Sequence, residues 1–102
     1  MKLVVFIGQS LDVIRNFPDA ARREAGYQLD RVQHGLDPTD WKPMASIGRG
    51  VREIRIRDAG QFRVIYLASL SDQIAVLHAF QKKSGKTLKA DMDLARRALK
   101  EL

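Results

Sequence analysis

The chain contains no cysteine. That excludes disulfides, cysteine-based metal sites and thiol nucleophiles, and it fits a reducing cytoplasm. Histidine is scarce. His34 and His78 lie far apart, and neither a His-Glu-x-x-His nor an EF-hand pattern occurs, so no metal is expected. There is no glycine-rich phosphate loop: Gly48-Arg49-Gly50 is too short, precedes a strand-like segment and reads as a turn. No Ser-His-Asp arrangement follows from the spacing, and no cofactor is expected. Long hydrophobic runs are missing as well. The apolar start from Met1 to Ile7 stops at Gly8-Gln9-Ser10, too short for a signal-peptide core. No stretch approaches the length of a membrane span, so no membrane partner is expected.

What is present is a chain of 102 residues, 45% hydrophobic, sized for one domain (1–102) with a modest core. A fold of this length buries roughly two-thirds of the surface its unfolded chain exposes. The net charge is +6 and the pI about 10.1. Such an excess favours polyanionic partners, whether nucleic acid, an acidic protein or an anionic surface. Charge alone does not choose among them, and many basic domains are merely soluble.

Leu3 to Ile7, with two valines, reads as a buried strand. Ser10 is placed to cap a short helix from Leu11 to about Asn16. Pro18 suits the first turn of a second helix running to about Gln33 and stopping at Gly35. Ala21, Ala25, Leu29 and Val32 share one face of it, and His34 complements its C-terminus. These two helices are expected to form a helical hairpin. Gly35 to Pro43 reads as a loop, with Trp41 packed over the core edge in preference to stacking on a base. From Met44 the period becomes two. Met44 to Ile47 reads as a short strand, and Val51 to Arg57 alternates almost perfectly. Asp58-Ala59-Gly60 is a hairpin turn, and Gln61 to Ala68 the return strand. Gln73 to Phe80 is an apolar, central strand, Lys82 to Lys86 a basic loop, and Leu88 to Leu102 an amphipathic helix. The order predicts an α+β domain. Its antiparallel sheet has four to five strands, with the first strand added at an edge or paired to a neighbour, helices over one face and the other face partly open.

The hairpin is the informative segment. A three-residue turn sets Arg57 opposite Gln61, Ile56 opposite Phe62 and Arg55 opposite Arg63, with Glu53 further along the same face. Like charges directly opposite each other are destabilising. A fold that accepts that cost gains something from the cluster, and arginine binds phosphate oxygens through paired hydrogen bonds. A solvated face, paired with Glu53 or Asp58, is the plainer alternative. Lys82, Lys83, Lys86 and Lys89 form a second basic group. Joined with the arginines it would make one electropositive surface for a nucleic-acid backbone. By alternation His78 shares a face with Val76 and Phe80, either as a satisfied structural residue or as a proton donor and acceptor.

Three strings carry a family resemblance: Ile47-Gly48-Arg49-Gly50-Val51-Arg52-Glu53-Ile54-Arg55-Ile56, then Gly60-Gln61-Phe62-Arg63-Val64-Ile65-Tyr66, then LHAFQKKSGKT at residues 77–87, followed by ADMDLA. Over nearly its whole length the chain resembles the phage-derived, HigB-like toxins of the RelE/ParE superfamily. The last string is the more specific. The resemblance implies a RelE-like fold and a toxin of a type II toxin–antitoxin system. A cognate antitoxin, of the helix-turn-helix type, would form a hetero-oligomer with it. It further implies a metal-independent endoribonuclease, an mRNA interferase that works on the ribosome and inhibits translation. In that chemistry a 2′-hydroxyl attacks the adjacent phosphate and the 5′-oxygen leaves. On the family pattern Arg63 matches the phosphate-binding arginine and Arg55 a basic residue on the preceding strand. Lys82 or Lys83 matches the basic residue after the last strand. Arg52, Arg57, Lys83 and Lys86 would follow the RNA backbone, and His78 is the candidate general acid or base. The chain lacks a tyrosine after Tyr66, where RelE carries one, and HAFQKKS does not reproduce the acidic and histidine pair of HigB toxins. The proton-transfer groups therefore stay open. Two other functions fit the same scaffold: a ParE-like inhibitor of DNA gyrase, and a non-toxic phage-derived module that binds nucleic acid.

Overall fold

The computed structural model describes residues 1–83 and 87–102. In chain order it contains β1 (Leu3–Phe6), α1 (Ser10–Arg15), α2 (Asp19–Gln33), β2 (Trp41–Pro43), β3 (Val51–Arg57), β4 (Gln61–Leu67), β5 (Gln73–Lys82) and α3 (Lys89–Lys100). The mixed α+β architecture expected from the pattern is present and is consistent with a RelE-like fold. The strands make one sheet in the order β1-β5-β4-β3-β2.

The hairpin register is the one the turn length predicts: Arg57 faces Gln61, Ile56 faces Phe62 and Arg55 faces Arg63. Ala59 holds φ at 53° and Gly60 at 150°. Glycine tolerates its own value freely, whereas alanine is strained at positive φ.

The sheet is not wholly antiparallel, because β1 pairs with β5 in parallel. After α1 and α2 the chain re-enters the sheet at its far edge as β2. It then meanders back, so β5 arrives beside β1 running the same way. β1 takes the edge placement open to it, but with Leu3 exposed it is not the buried strand its apolar run suggests. β4 lies in the middle of the sheet, and β5 is interior beside it.

Helices cover both faces, not one. Ala21, Ala25, Leu29 and Val32 of α2 pack with Ile54, Ile56, Phe62, Val64 and Tyr66. Ala95 and Ala98 of α3 pack on the other side with Val51, Ile65, Leu67, Ala75 and Leu77. The cause is visible in β4: Phe62 to Leu67 is buried without a break, the mark of a strand covered on both sides. α1 packs on β5 and α2 on β3 more than on each other, so the expected helical hairpin is not the main contact.

Four local expectations are also corrected. Ser10 is not the helix cap. It is the first residue of α1, buried, and its hydroxyl donates to the Val76 carbonyl at 3.2 Å. Trp41 lies in β2 rather than in a loop, whereas Met44 to Ile47 forms a turn instead of a strand. β5 continues through Lys82, two residues beyond its apolar run, because the ladder with β4 extends to Gln61.

Candidate nucleic-acid interface

The α3 face of the sheet divides in two. Its apolar part lies under α3. The rest carries ionic side chains in successive ladder rows. One row holds Lys42, Glu53, Ile65 and His78. The next holds Arg55, Arg63 and Phe80, and the third Arg57, Gln61 and Lys82. Period-two alternation places all of these on one side.

Depth differs sharply within the cluster. Glu53 is fully buried and Arg63 is 2% exposed. The Arg63 guanidinium donates from Nη1 to the Phe62 carbonyl and from Nη2 to Gln61 Oε1, each at 3.0 Å. Its Nε stands 3.4 Å from Glu53 Oε1, an ion pair without hydrogen-bond geometry. Glu53 Oε2 accepts the Thr87 hydroxyl at 2.9 Å. Burial holds the Arg63 pKa below the usual arginine value, against the opposing pull of Glu53. Arg55 is partly exposed and Arg57 largely so, each with Asp40 at 3.9 Å. Lys82 is pulled below its ordinary pKa, first by burial and then by the positive charge of Arg63. The rows thus form a positive patch with Arg63 at its floor and Arg55, Arg57 and Lys82 above.

His78 stands at the boundary between the patch and α3. A bulge between Ile65 and Tyr66 shifts the β4–β5 register, so His78 faces Ile65 while Tyr66 faces Val76. Simple alternation therefore fails. His78 shares a side with Leu77 and Phe80, not with Val76, because a bulge inserts one unpaired residue. Its Nε2 lies 2.8 Å from Asp91 Oδ1, and its ring stacks on Phe80 at 5.4 Å. With Nε2–H donating to the carboxylate, Nδ1 is left as a proton acceptor. Asp91 was not legible as its partner: the two are 13 positions apart, and only the docking of α3 joins them.

Not every expected cation joins the patch. Arg52 alternates to the opposite side of β3, where it pairs with Asp37 at 2.9 Å and stacks over Trp41 at 4.1 Å. Lys83 is exposed at the end of β5. Lys86 lies outside the described residues. Lys42 and Asp40, which the loop reading passed over, border the patch because β2 pairs with β3. His34 does sit at the end of α2, its Nδ1 on the Asp30 carbonyl at 2.8 Å.

Among the described residues no helix is long and apolar enough to cross a membrane. A search of curated proteins returned no match. The family model described as "Phage derived protein Gp49-like" matches residues 12–100. That span takes in both helix-bearing faces and every ionic row of the patch, so the chain belongs to the phage-derived Gp49-like family, a toxin-like family of toxin–antitoxin systems within the RelE/ParE-like superfamily.

Proposed function

We propose that this single domain is a HigB-like, ribosome-dependent endoribonuclease of the cytoplasm, held in check by a helix-turn-helix antitoxin. The observation that carries the reading is the Arg55–Arg63 pair, set directly opposite on one face with Arg57 and Lys82 in the adjoining row. Glu53 and Asp40 offset only part of this charge, so the cations still favour an added anion, and a phosphodiester is one whose geometry the guanidinium fork matches. Arg55, Arg57 and Lys82 then contact the scissile phosphate and its neighbours, while Lys83 extends the track. Arg63 raises the potential from beneath, which favours the charge that grows on the phosphate during attack. His78, oriented by Asp91, takes or returns a proton. A gyrase inhibitor of the ParE kind would use the same face for binding alone.

The test is induced expression with primer extension on a translated mRNA, comparing the parent with Arg55→Ala. Growth arrest with new, translation-dependent 5′ ends, lost in the variant, is the expected result. Arrest without cleavage would move the target to gyrase. A soluble, folded protein causing no arrest would favour the nucleic-acid-binding module.

A further inference from the structure

On the sheet face away from the arginine patch lies a cavity of about 300 Å³, between the end of α2 and the ends of β3 and β4 nearest Gly50 and Ser69. Its wall is apolar at Val32, Leu36 and Ala68 and polar at Lys2, Asp37, Arg52, Tyr66 and Ser69. The Arg52 fork is held in two ways. Its plane lies over the Trp41 ring, and its Nη1 donates to Asp37 Oδ1. Tyr66 is wholly buried beside it, with a hydroxyl that lacks a hydrogen bond of good geometry. Lys2 is tethered by its Nζ to the Ala68 carbonyl at 2.6 Å. Two cations therefore face one carboxylate, leaving a surplus of one positive charge. The guanidinium offers five donors, so most remain for a ligand.

We propose that this cavity receives the glutamate side chain of an acidic partner segment, its carboxylate on Arg52 and Lys2 and its methylenes against Val32, Leu36 and Ala68. Charge complementarity selects the occupant. The Asp37 contact shows that Arg52 already meets a carboxylate in a good geometry. The surplus of a single charge suits a monoanion, and Asp37 would repel a multiply charged phosphate. The apolar walls suit an aliphatic stem better than a sugar–phosphate chain. The cavity and the arginine patch lie on opposite faces, so the inference stands apart from the ribonuclease reading. A partner seated here leaves the patch open.

The test is titration of the isotope-labelled full chain with N-acetylglutamate α-amide, followed by amide shifts. N-acetylglutamine α-amide and inorganic phosphate serve as comparisons. Saturable shifts at Lys2, Arg52 and Ser69 are expected with the glutamate probe, in the roughly millimolar range of so small a ligand. The neutral probe should bind about tenfold more weakly, because a charge-assisted bond is lost. Arg52→Lys, which keeps the charge but loses the fork, and Lys2→Met should each weaken the glutamate response. Lys2→Met decides the matter if the Arg52 variant fails to fold. Equal response to the neutral probe, a stronger response to phosphate, no saturable shift, or unchanged binding in a folded variant would each overturn the proposal.

Discussion

Arg63 and Glu53 show how far a residue's setting changes what its substitution reports. From the ladder alone, Arg63→Ala removes one surface cation and leaves the fold intact. In the structure both partners are almost wholly buried, and alanine would strand the Glu53 carboxylate. Breaking a buried pair from one side costs about 3–5 kcal/mol. Arg63→Ala is therefore expected to lower stability by that order in chemical denaturation, while Glu53→Leu/Arg63→Met recovers most of it. Loss of toxicity in Arg63→Ala would not by itself locate a site, which is why Arg55 is the better probe. Lys82 carries a pH signature. Its folded pKa lies below the ordinary 10.5, so the folded chain releases this proton at lower pH than the unfolded chain. Between those two values the unfolded state holds more protons, and stability rises with pH. Below the window the charged amine is a cost. Lys82→Gln should be more stable than the parent at neutral pH and lose the alkaline rise. Tyr66 works against it: burial lifts the phenol above its ordinary 10.0, so its contribution to stability falls with rising pH. Denaturation midpoints of parent and variant across the alkaline range separate the two.

Among the elements, α3 has the most consequence for the site. Helical spacing puts Leu88, Met92, Ala95, Leu99 and Leu102 on one stripe and gives the helix its rough extent; Met92, Ala95 and Leu99 do pack on the sheet, whereas Leu88 and Leu102 at the ends are exposed. Its side of the sheet was not legible, because β4 and β5 offer apolar residues on both faces. Ala95 is fully buried against the sheet, which lets the helix axis come close. Ala95→Leu overfills that contact and is expected to cost about 1–3 kcal/mol. It should also lift the first turn of α3 and break the contact between Asp91 and His78. Thermal melts would read the first effect and the His78 ring resonances the second. The β-bulge is the other element-level feature that periodicity missed. One unpaired residue re-aims His78, and nothing in the run Ile74 to Phe80 announces it.

For the molecule as a whole, the formal charge of +6 matters through its distribution. Cations from β2, β3, β4 and β5 converge on one face, with Glu53 and Asp40 as the carboxylates among them. If that face binds a single RNA strand, each phosphate contact contributes roughly 0.7 to the slope of log affinity against log salt. Arg57 is exposed, its Asp40 contact long and screened. Arg57→Ala should therefore leave stability within about 0.5 kcal/mol and reduce the slope by about 0.7. Binding of a single-stranded oligonucleotide at several salt concentrations would check this. An unchanged slope would place the RNA elsewhere.

Local order was readable in the residues themselves. Alternation in Val51 to Arg57 and the Asp58-Ala59-Gly60 turn set the register that places Arg55 against Arg63. Both are short-range effects, carried by side-chain period and backbone dihedrals. The helices followed from spacing and from Gly35 and Pro18 for the same reason. Packing decided the rest. Which face α3 covers, the burial of Arg63 with Glu53, the turn of His78 toward Asp91 and the separation of Arg52 from the other arginines all depend on contacts between segments distant in the chain. Alternation names the side of a strand on which a residue lies. Only the assembled sheet and its helices decide whether that side meets water, a helix or a buried counter-charge.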